Sequence, residues 1–224
     1  MSRGSAILTT GSTRGRSGQQ DYNEWGVPVK INPHKLRGPW TGGYALDVHT
    51  TSSTIIGHNA FGHPVFDTTR LPLGELLYKL KNRGDEAAIP EIVGAAATFL
   101  KTWNVGFDAI VPVPPSNTAR KRQPVIAVAS ALSDVLGVPV CEGCVTKDKS
   151  TGQLKDVFDF AKRTAILNGS FSVDAARTEG QRLLLLDDLY RSGATVSTIA
   201  QLLMTAGAAR AVYLLTLTQT RKLT

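Results

Sequence analysis

Residues Leu183–Ser197 read LLLLDDLYRSGATVS, with two adjacent acids directly after a run of four leucines. Ionised carboxylates accept hydrogen bonds and donate none, so Asp187 and Asp188 suit neighbouring hydroxyl donors such as the 2′- and 3′-hydroxyls of a ribose. Two like charges at the end of so apolar a strand are unfavourable unless something binds there. The loop that follows has the makings of a phosphate cradle. Gly193 lets a ligand approach the backbone closely, and the helix expected from Thr195 offers free N–H groups and the positive end of its dipole. Ser192 and Thr195 add hydroxyl donors, Arg191 adds a charge, and Ala194 keeps the turn small. A diol grip beside a phosphate grip matches a ribose 5-phosphate.

Other chemically suggestive residues are less organised. Cys141 and Cys144 form one half of a zinc knuckle without the other half, so free, partly buried thiols are expected in place of a metal site. His49, His58 and His63, with Asp47 and Asp67 nearby, fit no established ligand spacing. The basic run Arg120–Arg122 can be a solvated helix start or an anion contact. The chain contains no Walker A motif and no G-x-G-x-x-G. "DDLYR" lacks the Asp-x-Asp of haloacid-dehalogenase-type phosphatases, and a receiver-type acid pair would lie near the N-terminus.

Strands and helices must hold these groups in place. The stretch Arg182–Asp188 reads as a strand, Thr195–Ala206 as a helix stopped at Gly207, and Ala211–Thr218 as a second strand. Upstream, Leu73, Leu76, Leu77 and Leu80 mark a helical stripe. Glu86–Trp103 predicts a second helix, kinked or begun at Pro90. "FDAIVPVP" is a strand that stops at prolines, and "QPVIAVASALSDVLG" is a helix closed by Gly137. A polar stretch, Glu142–Lys155, precedes "DVFDFAKRTAIL". Alternating strands and helices with nearly continuous apolar strands imply an α/β fold, a mostly parallel sheet with helices on both faces. Residues 71–224 form this domain. Residues 25–70, with the short runs "GYALDVHT" and "STIIGH", form a small β-rich N-terminal extension.

The 224 residues are 42% apolar and carry a net charge of +7. Residues 1–43 hold six Lys/Arg against two acids, +4 of that surplus, and residues 1–24 read as a disordered basic tail. Such a tail can touch nucleic acid through phosphates or simply stay solvated. No apolar run approaches the roughly 18–20 residues of a membrane span, and the first residues lack the apolar core of a secretory signal. A cytoplasmic protein without a membrane partner is expected.

"LLLLDDLYRSGAT" resembles the signature with which type I phosphoribosyltransferases bind phosphoribosyl pyrophosphate (PRPP). "LKNRGD" (80–85), "IVPVPPS" (110–116) and "KRTAILNGSFSV" (162–173) resemble, in order and spacing, segments of the ComF-like branch of that superfamily, across roughly residues 70–220. The likeness has gaps. Residues 1–70 lack the four-cysteine zinc ribbon of many ComF-like proteins, and "RKRQPV" stands where Arg-Gly-Phe-Asn often follows the proline-rich strand end. A role in DNA uptake is therefore not carried over.

The resemblance implies transfer of a phosphoribosyl group from PRPP to a nucleobase-like acceptor, with release of pyrophosphate. The alternative it leaves open is a non-catalytic PRPP- or nucleotide-binding regulatory or accessory module. Asp187 and Asp188 would lie on the cationic side of the ribose in the transition state. Arg191, Ser192, Gly193, Ala194 and Thr195 would hold the 5′-phosphate. Pro114, Pro115, Ser116, Asn117, Arg120 and Arg122 would surround the pyrophosphate. Mg²⁺ would enter with PRPP, and Asp187 is the one side chain that could reach it. A closing hood would come from residues 142–160, and a homodimer is an expected assembly. The acceptor is not legible.

Overall fold

The computed structural model describes residues 29–116, 123–148, 167 and 169–221. In chain order its strands are β1 (His34–Lys35), β2 (Gly42–Ala45), β3 (Thr50–His58), β4 (Pro64–Arg70), β5 (Ala109–Pro112), β6 (Val145–Lys147), β7 (Phe171–Val173), β8 (Arg182–Tyr190) and β9 (Ala211–Gln219). The helices are α1 (Pro72–Tyr78), α2 (Ile89–Trp103), α3 (Pro124–Leu136), α4 (Ala175–Thr178) and α5 (Ala194–Met204). Among the described residues, five strands form one sheet in the order β1-β2-β9-β8-β5. β2, β9, β8 and β5 run parallel, and β1 runs against β2 at the edge. The α/β class and the mostly parallel sheet are as the sequence predicts.

The leucine run explains why this sheet is covered twice. Successive side chains of a strand point to opposite faces. Leu183 and Leu185 join a cluster with Val196, Ile199 and Leu203 of α5. Leu184 and Leu186 join another with Leu77, Ile92, Val128 and Leu132, from α1, α2 and α3. All four leucines are fully buried, and burial ends at Asp187. The strand passes from a two-sided core to an open end between residues 186 and 187.

Helix boundaries follow their local chemistry. Pro90 sits in the first turn of α2, which a 3₁₀ turn at Glu86–Ala88 precedes, and Asp85 accepts from the Ala87 N–H at 3.1 Å. Gly137 closes α3 at φ 66°. The leucine stripe of α1 does not stop where the α-helix does. It widens into a π-helical turn, Lys79–Arg83, closed by Gly84 at φ 68°.

The sheet also reaches into the N-terminal part of the chain. β2 pairs with β9 over Gly42↔Tyr213 to Ala45↔Thr216, so the division at residue 70 does not coincide with an edge of the sheet. The strand run GYALDVHT overlaps β2, and packing explains the two glycines in β2. A side chain at Gly42 would come within 3.0 Å of the Trp103 ring, and one at Gly43 would fall on Trp40. What stands apart is the antiparallel β3–β4 hairpin. It carries Ile55, Ile56, Phe61, Val65 and Phe66, five of the six large apolar residues exposed among those described.

Cys141 and Cys144 are bonded to each other, with Cα atoms 5.5 Å apart, in place of the free thiols expected. The turn that joins Ile110's neighbour strand segment to β6 brings them together, the Cys144 N–H reaching the Cys141 carbonyl at 3.3 Å. The basic tail at 1–24 lies outside the described residues, as does most of the hood segment, 149–160. Among the described residues no helix is long and apolar enough to cross a membrane.

Candidate functional site

Ligands of parallel α/β sheets bind beyond the carboxyl ends of the strands, and a sizeable cleft lies there. It has a volume of about 510 Å³, bounded by the ends of β5 and β8, the first turns of α3 and α5, the π-helical turn after α1, and His49. A smaller pocket of about 100 Å³ is lined by residues 189–196 and shares Asp187, Leu189, Arg191 and Thr195 with the cleft.

Most residues singled out from the sequence meet here. Asp187, Asp188, Arg191, Thr195, Pro114, Pro115 and Ser116 line the cleft, and Ser192, Gly193 and Ala194 line the smaller pocket. Asn117, Arg120 and Arg122 lie outside the described residues. The Gly193 turn is left-handed and tightly packed. Gly193 adopts φ 79° and ψ −2° as the residue before α5, a left-handed conformation that costs residues with a Cβ. A Cβ there would also fall on the Tyr190 ring. Ser192 Oγ accepts from the Ala194 N–H at 3.4 Å, and the Gly193 carbonyl accepts from the Ser197 N–H at 2.8 Å as the helix starts.

The two acids are held differently. Asp187 Oδ1 accepts from the Asp188 N–H at 2.8 Å. Burial pushes the Asp187 carboxyl up to about 7, and the neighbouring Asp188 charge adds to the rise, while the Asp188 N–H and Lys81 oppose it. Asp188 Oδ2 forms an ion pair with Lys81 Nζ at 2.5 Å, and its carbonyl accepts from Thr218 Oγ1 at 3.1 Å. Mg²⁺ takes oxygen donors such as a carboxylate, with phosphate and water completing its shell, and Asp187 presents a carboxylate to the cleft. Among the described residues, no group of three or more His, Cys, Asp or Glu converges on a metal position.

Lys81 and His49 are the site residues that sequence reasoning missed. Lys81 lies four residues after the buried Leu77, so it continues the core-facing stripe of α1. A lysine on such a stripe is the signal that could have revealed it. His49 was visible only within the group His49, His58 and His63, and the fold separates that group. His58 and His63 sit on the exposed hairpin, His49 in the cleft. His49 Nδ1 lies 3.1 Å from Thr218 Oγ1. Burial, then the charge of Arg70, hold its ring below the usual histidine value; Lys81 and Arg191 act in the same direction and Asp188 against it.

No family model matches this sequence, and no curated protein matches it. Several solved structures align in part with this chain. An adenine phosphoribosyltransferase from Thermoanaerobacter pseudethanolicus is 16% identical with a TM-score of 0.41, the match covering 75% of this chain and 94% of that one. The adenine phosphoribosyltransferase of Trypanosoma brucei, in complex with AMP, pyrophosphate and ribose-5-phosphate, is 10% identical with a TM-score of 0.43, covering 84% and 86%. Glutamine PRPP amidotransferase from B. subtilis, complexed with ADP and GMP, is 19% identical with a TM-score of 0.45, covering 70% of this chain and 34% of that one.

Proposed function

We propose that the cleft binds PRPP and that the protein is a type I phosphoribosyltransferase, moving the phosphoribosyl group to a nucleobase-like acceptor. One observation carries this reading. The carboxylates at the end of β8 line the cleft, and the left-handed Gly193 turn at the start of α5 lines the adjoining pocket that shares Asp187, Leu189, Arg191 and Thr195 with it, a diol hold beside a phosphate hold. The ComF-like segments of the sequence support the branch.

In the reaction, the C1–O bond to pyrophosphate breaks as a nitrogen of the acceptor bonds to C1. Positive charge grows on the ribose and negative charge on pyrophosphate, and fixed charges aimed at these positions lower the barrier. Asp188, anchored by Lys81 and Thr218, offers a preset negative charge to the ribose. The Gly193 turn and the first N–H groups of α5 hold the 5′-phosphate, with Arg191 adding a cation. Pro114–Ser116 form the wall for pyrophosphate. Mg²⁺ entering with PRPP supplies countercharge to the pyrophosphate, and Asp187 is the side chain that would meet it.

Titration calorimetry with Mg²⁺–PRPP tests the reading, followed by pyrophosphate release with adenine, hypoxanthine, guanine and uracil. Micromolar binding with release for one base is the expected result. No binding overturns the reading, and binding without release for any base assigns the protein to a PRPP-responsive module. The reading includes a homodimer, and the apolar β3–β4 hairpin is the surface that supports it.

A further inference from the structure

His49 occupies a fixed place on the cleft wall. Beyond β2 the pairing with β9 continues, the His49 N–H donating to the Gln219 carbonyl at 2.7 Å and the Gln219 N–H to the Asp47 carbonyl at 2.8 Å. On the other side Gly74 of α1 packs so closely that a Cβ there would overlap the His49 carbonyl oxygen. The residue is held by a sheet end and a helix, unlike a loop histidine free to swing.

The hydrogen bonds of the ring assign its tautomer. Thr218 Oγ1 has one proton and donates it to the Asp188 carbonyl at 3.1 Å. The hydrogen shared between Thr218 Oγ1 and His49 Nδ1 must then belong to Nδ1. In the neutral ring Nε2 therefore carries a lone pair and no proton, and it makes no hydrogen bond among the described residues. The charged groups facing the ring are Arg70, Lys81 and Arg191, which resist its protonation, and Asp188, which favours it. A neutral imidazole whose Nε2 lone pair is unused can accept a proton from a reacting N–H, while that lone pair offers no donor to a phosphate oxygen.

We propose that His49 Nε2 is the proton acceptor for the incoming nucleophile, and that it selects acceptors whose attacking nitrogen carries a removable proton. This rests on the phosphoribosyltransferase reading of the cleft. The nitrogen lone pair forms the N–C1 bond, and the C1–O bond breaks with its electron pair leaving on pyrophosphate. The N–H proton passes to His49 Nε2, giving an imidazolium that returns the proton to water. A nitrogen bonding to C1 becomes strongly acidic, so even a base weakened by neighbouring cations can take its proton. Thr218 links this base to Asp188, so the acceptor side and the ribose side of the site share one hydrogen-bonded anchor.

The test uses the full chain labelled with ¹⁵N-histidine, with the His49→Gln variant for assignment. Three results are expected. The His49 signal shows the neutral Nδ1–H tautomer at neutral pH. With Mg²⁺ and ribose 5-phosphate present, at least one of adenine, hypoxanthine, guanine and uracil shifts the Nε2 resonance, and 9-methyladenine, which lacks the N9 proton, does not. In His49→Gln, kcat for pyrophosphate release falls roughly 10²–10⁴-fold and the acid limb of its pH profile disappears, while PRPP affinity stays within about threefold. An Nε2–H tautomer, an Nε2 signal that none of the four bases moves, or an unchanged kcat and pH profile in the variant overturns the assignment while PRPP binding stands. Absence of PRPP binding in the parent overturns the underlying reading first, and this inference with it. Where that variant fails to fold, replacing His34, His58 and His63 in turn assigns the remaining signal to His49, and the spectra then decide the matter.

Discussion

Replacing Gly193 with alanine separates a structural cost from a functional one, because Gly137 provides a matched control. Both glycines hold left-handed backbone, at φ 79° and φ 66°. A Cβ at Gly137 would meet nothing within 4 Å, whereas one at Gly193 would strike the Tyr190 ring. Left-handed backbone costs an alanine about 1–2 kcal/mol at either site. Both substitutions also recover about 0.4–1 kcal/mol from the reduced freedom of the unfolded chain. Pushing the Tyr190 side chain off its rotamer adds about 0.5–1.5 kcal/mol at Gly193 alone. For a chain of this size each kcal/mol shifts Tm by about 2–4 °C, so Gly193→Ala should melt roughly 1–6 °C below Gly137→Ala. The functional cost should be larger. The added methyl and the displaced ring enter the pocket assigned to the 5′-phosphate, so ribose 5-phosphate should bind at least about tenfold more weakly, a loss of about 1.4 kcal/mol. Gly137→Ala should bind it as the parent does. Thermal melts and calorimetry on the three proteins give both quantities. Equal ribose 5-phosphate affinity in Gly193→Ala and the parent would refute the cradle.

The raised pKa of Asp187 has a definite sign. The folded chain keeps a proton up to about 7 that an ordinary carboxyl gives up near 3.8, so stability should fall as pH rises through that window, by at most about 1.4 kcal/mol per unit. Asp187→Asn should flatten the slope and be the more stable protein above neutrality; parallel urea midpoints against pH in variant and parent would contradict this. Asp188→Asn keeps an accepting oxygen and removes the charge, so pyrophosphate release should drop on the order of 10²–10³-fold with a much smaller change in PRPP affinity. Equal losses in both would mean the charge serves binding alone. Replacing Ile56 and Phe61 with serine on the exposed hairpin should shift sedimentation from dimer to monomer at unchanged melting temperature. A parent that sediments as a monomer refutes that assembly.

How much of this was legible in the sequence depended on how local each feature is. The unit from β8 through Gly193 to α5 could be read because all its determinants are contiguous: a two-sided apolar strand, a break to acids, a glycine, a helical period. The helix boundaries at Pro90 and Gly137 were legible for the same reason. β2 was legible as part of the short strand run GYALDVHT, but its place beside β9 in the main sheet was not, since that pairing joins residues about 170 apart in sequence. Lys81 continues the stripe of α1 four residues after Leu77, but its link to Asp188, 107 residues away in sequence, is made only by the fold. His49 owes its position to β9 and α1, and its role to Thr218, so it gains meaning only once residues far apart in sequence are neighbours.

The acid pair shows how one strand end can make two identical residues unequal. Asp187, nearest the leucines, is compensated from within its own strand by the Asp188 N–H. Asp188, one residue further out, is compensated from elsewhere, its carboxylate by Lys81 and its carbonyl by Thr218. Burial therefore weighs on Asp187 and anchoring falls to Asp188. A cation brought in by a ligand lowers the cost of ionising Asp187, and a buried carboxyl with a pKa near neutrality responds to it by losing a proton. Asp188 is already fixed by two other elements and has little to rearrange. On the phosphoribosyltransferase reading, the partner that would change state on binding is thus Asp187, and the partner that would act as a preset charge on the ribose is Asp188.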